Sequence, residues 1–238
     1  MIIGLSGRMG SGKDTVGKII QYLLCQNVGD VSLEDVVSCD DHNWWLEEQS
    51  GFDTKKFAGK LKQIGSILSG VPAEKFEDQE FKKLNMGEEW NSPYNIPFSG
   101  PDFVEHDGAM TYREFLQRLG TEAMRDGLHT NVWVNALFAD YKGFVKEWDE
   151  FGNDTLVEYP NWIITDMRFP NEMDAVKQRE GITIRVVRNQ IKTGNLILEH
   201  PSETALDNAE FDYEIINNGT IKELAEKVQI ILIKEGIL

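Results

Sequence analysis

The chain has 238 residues, with 24 Lys and Arg against 40 Asp and Glu and a net charge of −16. That balance excludes a protein whose whole surface grips nucleic acid or an anionic membrane, because both need a net basic face; a phosphate-bearing ligand has to be met by a local basic pocket. A hydrophobic share of 41% is enough for a core, and the length suits one large α/β domain or a core domain with an inserted lobe. No run approaches the ~20 apolar residues of a membrane span. Ile230 to Ile233 reads as ordinary core.

Met1 to Leu5 runs straight into a glycine-rich loop, without the basic and apolar regions of a secretory signal, so the chain reads as unprocessed and intracellular. Cys25 and Cys39 fit a reducing compartment. Ile2 to Ser6 is expected as a buried strand. Val16, Ile19, Ile20, Leu23 and Leu24 then recur at helical spacing and predict a helix from Lys13 to about Gln26. Residues 28–53 show no firm period. Residues 55–68 read as a short strand or turn leading into a helix, with Leu61, Ile64 and Leu68 inward, ended by Gly70-Val71-Pro72.

Residues 71–110 concentrate loop signals, including Pro72, Pro93, Pro97 and Pro101 with Gly87, Gly100 and Gly108, and are expected as an insertion over a substrate site. Thr111 and Glu114 have capping-box spacing and open a helix expected to bury Phe115, Leu116, Leu119 and Ala123. A second helix is predicted from about Asn131 to Trp148. Trp162 to Thr165 reads as an apolar strand ending at Asp166, followed by a helix from Pro170 that Gly181 stops. Ile182 to Val187 and Asp212 to Ile216 read as strands, separated by a polar loop over 189–210. Asn217-Asn218-Gly219 is a turn. Thr220 and Glu223 form a further capping-box pair, before a helix with Ile221, Leu224, Ala225, Val228 and Leu232 on one face. Strands alternating with helices argue for an α/β fold whose parallel sheet is covered on both sides.

Gly7-Arg8-Met9-Gly10-Ser11-Gly12-Lys13 matches the G-x-x-x-x-G-K core of a phosphate loop, with a strand before it and an amphipathic helix after it. Glycines let successive N–H groups point into one concavity, the helix N-terminus adds partial positive charge, and Lys13 supplies a mobile cation. The next residue is Asp14 where the pattern has Ser or Thr, with Thr15 after it, so a direct magnesium ligand stays open between Thr15, Asp14 and water. Asp166, delivered by an apolar strand, suits the carboxylate that partners such a loop, although a turn or capping role would explain it as well when taken alone. Arg168 and Glu172 follow closely.

Arg118, Glu122 and Arg125 are spaced to share one α-helical face. They suit either a phosphate clamp or, slightly better from spacing alone, a solvated Arg118–Glu122 pair. Lys55, Lys56, Lys60 and Lys62, then Lys82 and Lys83, are further basic groups for which a solvated face is the commoner explanation. Arg185, Arg188 and Lys192 enter the 189–210 loop, which suits a lid. Cys39 to His42 has metal-ligand residue types, but adjacent residues rarely chelate one ion. His200 and Ser202 lack the strand-to-helix elbow of a hydrolase.

Taken in order, G-R-M-G-S-G-K-D-T from Gly7, Q-R-L-G-T-E from Gln117, Val132-Trp133-Val134, D-M-R from Asp166 through Glu172-Met173-Asp174-Ala175, Val186-Val187-Arg188, and Asn217-Asn218-Gly219 resemble the deoxynucleoside monophosphate kinases of tailed bacteriophages and their bacterial relatives. The resemblance is weakest over 28–110. It implies a P-loop nucleoside monophosphate kinase-like, three-layer fold with a central parallel sheet. That fold would be a single domain over 1–238, with an acceptor-binding insertion at about 28–130 and a lid-like loop at about 189–210. It further implies transfer of the ATP γ-phosphoryl group to a deoxynucleoside 5′-monophosphate, with Mg²⁺.

On that resemblance the ATP phosphates belong to Gly10, Ser11, Gly12, Lys13 and Thr15, with Asp14 and Arg188 as further ATP-binding residues, and a metal would be held by Thr15 and Asp166. The acceptor belongs to Gln117, Thr121, Trp133, Asp166, Arg168 and Glu172, with Lys62, Arg118 and Arg125 as further candidates. Lys13, Asp166 and Arg168 are the expected catalytic groups. Trp133 suits a wall for the base or sugar and equally a half-buried aromatic at a helix start. The expected setting is the cytoplasm of a bacterial cell or phage-infected host, as a monomer or homodimer with neither a nucleic acid polymer nor a membrane as partner. Two other readings remain: a P-loop kinase for another small acceptor such as dephospho-coenzyme A, and a non-catalytic nucleotide-binding module, against which Arg168, Glu172 and the 117–121 segment speak.

Overall fold

Every side chain of Ile2–Ser6 is buried, and this run forms β1, the middle strand of a five-stranded sheet. The computed structural model describes residues 1–91, 109–148, 154–188 and 204–238; for 146–148 and 154–156 it describes the backbone only. The chain divides into two compact units. Described residues up to Lys56 and from Leu137 onward form the first, and Phe57–Ala136 the core of the second.

In the first unit the sheet runs β2 (Phe52–Lys55), β5 (Asn161–Met167), β1, β6 (Ile182–Val187) and β7 (Tyr213–Ile216), with every pairing parallel. The apolar runs of β1, β5 and β6 follow from burial on both faces. Helix α1 (Lys13–Leu24) buries Val16, Ile19 and Ile20 against the sheet, each worth roughly 1.5–3 kcal/mol. Helix α8 (Ile221–Lys234) joins the same core through Leu224, Ala225, Val228, Ile231 and Leu232. Its capping box is complete: Thr220 Oγ1 accepts from the Glu223 N–H, and Glu223 Oε2 from the Thr220 N–H at 2.7 Å. Helix α7 (Pro170–Lys177) lies between β5 and β6 in the chain, and the left-handed residue after it is Glu180, with φ 57°, not Gly181.

Several expectations are corrected. Residues 28–53, which show no firm period, hold two short helices: α2 (Leu33–Ser38) and α3 (Asn43–Ser50) precede β2, and Ser32 with Asp35 makes a complete capping box. They are too short for a helical period to emerge. The helix expected over 131–148 stops early, as α6 (Val132–Phe138), and the chain turns back in an antiparallel hairpin of β3 (Phe144–Trp148) and β4 (Asp154–Glu158). Ile230 and Ile233 face outward at 65% and 56% exposure while Ile231 and Leu232 are buried, because four consecutive helical residues cannot share one face.

In the second unit α4 (Ala58–Ser69) ends at Gly70 in the left-handed conformation, as its sequence predicts, but Leu68 is exposed. The described part of the 71–110 segment is packed rather than open. Phe76 and Met86 join Phe115 and Leu116 in a small core, Phe81 stacks on Tyr112 at 4.6 Å, and Trp90 meets Phe115 edge-on. Residues 92–108, with Pro93, Pro97, Pro101, Gly100 and Gly108, lie outside the described residues.

Thr111 caps α5 (Tyr112–Gln117) by accepting from the Glu114 N–H, but the reciprocal half of the box is missing, since Glu114 Oε1 accepts from Arg118 at 2.7 Å. Beyond Gln117 the chain continues as a π-helix, Arg118–Asp126. Its i→i+5 winding breaks the α-helical register. Arg118, Glu122 and Arg125 therefore do not share a face at i, i+4, i+7, Arg118 pairs with Glu114 rather than Glu122, and Ala123 is exposed.

Lys18 holds the 33–50 segment to α1. Its ammonium donates to the carbonyls of Val36 (3.1 Å) and Cys39 (2.8 Å) and pairs with Asp40 at 2.8 Å. The hydrogen bond from Lys18 holds the Asp40 carboxyl below its ordinary 3.8, so this contribution is full above that value and lost as pH falls through the lowered one. Lys18→Met is expected to cost about 1–3 kcal/mol, mostly from the two carbonyls left without their donor, with under about 1 kcal/mol from the exposed carboxylate. Urea unfolding checks the size, the gap to wild type narrowing slightly below the carboxylate range, and amide exchange should quicken over 33–50.

Candidate active site

The strand order puts β1 between β5 and β6, so the chain leaves β1 at a point where neighbouring connections diverge. Open α/β sheets bind ligands in the crevice at such carboxyl ends. Ser6 lies opposite Met167 on one side and Arg185 on the other. Residues 7–12 thus emerge beside Arg168 and the end of β6.

The loop is tightly confined. Gly7, at φ +153°, is so close to β6 that a Cβ would lie 2.3 Å from the Val186 carbonyl oxygen and 2.6 Å from Ser11 Oγ. Gly12, at φ +97°, is the N-cap of α1 and, having no side chain, cannot cap that helix itself. A helix start of this kind is suited to an anion. Ser11 is 2% exposed, and its hydroxyl has no hydrogen-bond partner among the described residues. A concavity with glycine backbone, a helix start and a buried unmatched hydroxyl fits a chain of phosphates. Lys13 Nζ folds onto the loop, donating to the carbonyls of Gly7 (2.7 Å) and Arg8 (3.0 Å).

Asp166 sits at an irregularity. Gly4 pairs with Ile164 but Ser6 with Met167, so β5 carries one extra residue opposite Leu5, at Thr165–Asp166. Such a bulge re-aims side chains, and Asp166 is half-exposed within an otherwise buried stretch. Thr165 turns to the phosphate-loop helix, its hydroxyl donating to Asp14 Oδ1 at 2.9 Å, and Lys56 Nζ approaches the same oxygen at 3.4 Å. Asp14 is thereby engaged, while Thr15 one position on is half-buried. Glu172 is 3% exposed, and its Oε2 accepts from the N–H groups of Arg168 (2.7 Å) and Phe169 (3.1 Å). The carboxylate caps α7 and fixes the backbone that carries Arg168.

Ser6, Gly7, Arg8, Met167, Arg168, Arg185 and Asp207 line a small cleft at this edge. Asp207 bridges two of its cations, meeting Arg8 at 3.0 Å and Arg185 at 2.8 Å, and Arg185 also donates to the carbonyls of Leu206 and Asp207. Arg8 is a variable position of the loop motif and Arg185, expected to enter a lid, lies within β6; their meeting with Asp207 is a product of strand register, which no motif spacing marks. Arg188 is exposed at the end of β6. The lid-like loop expected over 189–210 lies outside the described residues as far as 203, and His200 and Ser202 with it.

Within the second unit, Lys62 pairs with Glu77 and Arg118 with Glu114. Gln117, Thr121 and Arg125 are half-buried. Trp133 is 6% exposed, and its indole N–H donates to the Gly120 carbonyl at 2.8 Å, so it ties α6 to the π-helical segment rather than offering an open ring. Gly120 packs against Leu61, where a Cβ would lie 2.8 Å from a methyl group at the end of that side chain. Among the described residues no three His, Cys, Asp or Glu side chains gather as a metal site. The Cys39–His42 segment instead contributes Asp40 to the Lys18 pair.

The family model of deoxynucleotide monophosphate kinase matches residues 99–228, more than half of the chain. A protein of Acanthamoeba polyphaga mimivirus, provisionally described as a deoxynucleotide monophosphate kinase, is 25% identical over 96% of this chain and 94% of its own. The deoxynucleoside-5′-monophosphate kinase of Escherichia phage T5 is 22% identical over 91% and 89%, and the deoxynucleotide monophosphate kinase of Enterobacteria phage T4 is 29% identical over 49% and 43%.

Gly7→Ala tests the confinement of the loop. The added methyl group has to move the Val186 carbonyl or the loop itself, for an expected loss of about 1–3 kcal/mol. Tripolyphosphate is expected to raise the urea midpoint of the wild-type protein, and the variant should lose that shift. An unchanged midpoint and an unchanged shift would show that the loop is not held as described.

Proposed function

The chain belongs to the deoxynucleotide monophosphate kinase family, and on that premise we propose which of its residues carry the reaction. It is a phosphotransferase acting on deoxynucleoside monophosphates, and membership of a kinase family implies ATP as the donor. The observation that most supports the residue assignment is the glycine-confined loop with Lys13 folded onto it.

ATP phosphates would lie on the N–H groups and side chains of Gly10, Ser11, Gly12, Lys13 and Thr15, with Arg188 as an outer cation. In-line phosphoryl transfer leaves little covalent work to the protein: catalysis is positioning plus stabilisation of charge. Lys13 would exchange the carbonyls of Gly7 and Arg8 for phosphate oxygens. Arg168 would neutralise the charge that builds on the transferred group, held in place by the buried Glu172 cap. No general base is needed, since the attacking acceptor phosphate is already ionised. Asp14, engaged by Thr165 and Lys56, would fix the start of α1 rather than bind metal directly. Thr15 and Asp166 are the residues that would hold Mg²⁺, which supplies charge neutralisation on the phosphates when bound.

For the acceptor we assign Asp166 and Arg168, with Glu172 acting through Arg168. Gln117, Thr121, Arg125, Lys62, Arg118 and Trp133 are assigned on their motif positions, Trp133 by packing rather than stacking. No helix of the described residues is long and apolar enough to cross a membrane. We place the enzyme in the cytoplasm of a bacterial cell or phage-infected host, as a monomer or homodimer without a nucleic acid polymer as partner.

A coupled assay for ADP tests the reaction: ADP should form when a deoxynucleoside monophosphate is added and not with ATP alone. ADP release without acceptor would mean an ATPase, and no release with any acceptor a binding module. Lys13→Ala should lower kcat by at least about 10²-fold, the scale of losing a preorganised charge at the reacting group. Arg168→Lys keeps the charge but loses the planar fork, and should raise the acceptor KM by about tenfold. A wild-type kcat in Lys13→Ala, or a wild-type acceptor KM in Arg168→Lys, would remove that residue from the mechanism.

A further inference from the structure

A side chain far along the chain from the phosphate loop controls one of the loop's peptide groups. Strand β7 pairs with β6 as far as Ile216 opposite Val187, and the Asn217 N–H extends the ladder by donating to the Val187 carbonyl at 2.7 Å. Asn217 is thereby set rigidly at the sheet edge. Its amide Nδ2 donates to the Ser11 carbonyl oxygen at 2.9 Å. The same nitrogen lies 2.4 Å from where a Cβ on Gly12 would be, so it fills the space beside that left-handed glycine.

We propose that Asn217 is a positioning residue for ATP binding: it holds the Ser11 carbonyl outward and so turns the Gly12 N–H of the same peptide group into the phosphate concavity. In a trans peptide the C=O and the following N–H point in opposite directions, so anchoring one aims the other. Gly12, held at φ +97°, has the backbone freedom to let that peptide flip. A flipped peptide would put a carbonyl oxygen where phosphate oxygens belong and remove a donor from the nest of N–H groups. The required group at 217 is a short donor, which an amide supplies and a carboxylate does not.

This inference rests on the assignment of the loop to ATP. The test measures the affinity of a fluorescent ATP analogue, the KM values for ATP and for the deoxynucleoside monophosphate, and the urea midpoint, in wild type, Asn217→Ala and Asn217→Asp. Asn217→Ala should weaken the analogue by about tenfold, the scale of one net hydrogen bond, with the acceptor KM unchanged. Asn217→Asp should weaken it further at neutral pH, where the carboxylate faces the Ser11 oxygen. It should then recover toward the wild-type value as pH falls through the ordinary carboxylate range, to about 4 and below, because a protonated carboxyl group donates again. Wild-type affinity in both variants would overturn the proposal, as would losses that only follow the urea midpoint and show no recovery in acid. Failure of the wild-type protein itself to bind the analogue would overturn the ATP assignment, and this inference with it.

Discussion

The closeness of residues 7–12 to the end of β6 is the constraint on which the rest of the site depends. A loop that binds phosphate through its backbone must present several N–H groups to one point, and a free chain does not hold that shape. Here the shape is imposed from outside. Val186 leaves no room for a side chain at Gly7, Asn217 grips the Ser11 carbonyl, and α1 begins at Gly12. β1 is parallel to both neighbours, so the loop, the Asp166 bulge and the Arg185 end of β6 all arrive at one edge of the sheet.

Charge is handled locally in a strongly acidic chain. The cleft at this edge brings Arg8, Arg168 and Arg185 together, and Asp207 holds two of them where their mutual repulsion would otherwise spread them. Elsewhere cations are used as fasteners: Lys18 ties α2 and the turn after it to α1, and Lys56 reaches Asp14. A small cationic cleft in an acidic body suits a free mononucleotide better than a polymer, since a polymer would need basic surface well beyond the cleft.

Much of the sheet was legible because burial on both faces leaves an unambiguous mark. Ile2–Ser6, the core of Asn161–Met167 and Ile182–Val187 are apolar runs with turn signals behind them, and Thr220 with Glu223 announces α8 at its first residue. The errors fall where local pattern is outweighed. The α2–α3 segment is too short for a period. The β3–β4 hairpin follows a helix whose pattern does not break visibly at Phe138. The π-helical turn at Arg118 shifts every facing that an α-helical spacing assigns.

The sequence by itself determined the chemistry: G-R-M-G-S-G-K-D-T between a strand and a helix, Asp166 and Arg168 after an apolar strand, and the order of motifs that marks the family. Such groups depend on neighbours within a few residues, so they can be read along the chain. Only the tertiary structure decided who supports them. Asn217 reaches Ser11 across 206 positions and Arg8 meets Asp207 across 199. Glu172 acts as a buried cap behind Arg168, and Trp133 is spent on packing against Gly120. Those partnerships come from strand order and register, which no spacing in the chain encodes, and they are what turn a phosphate-loop motif into a rigid site.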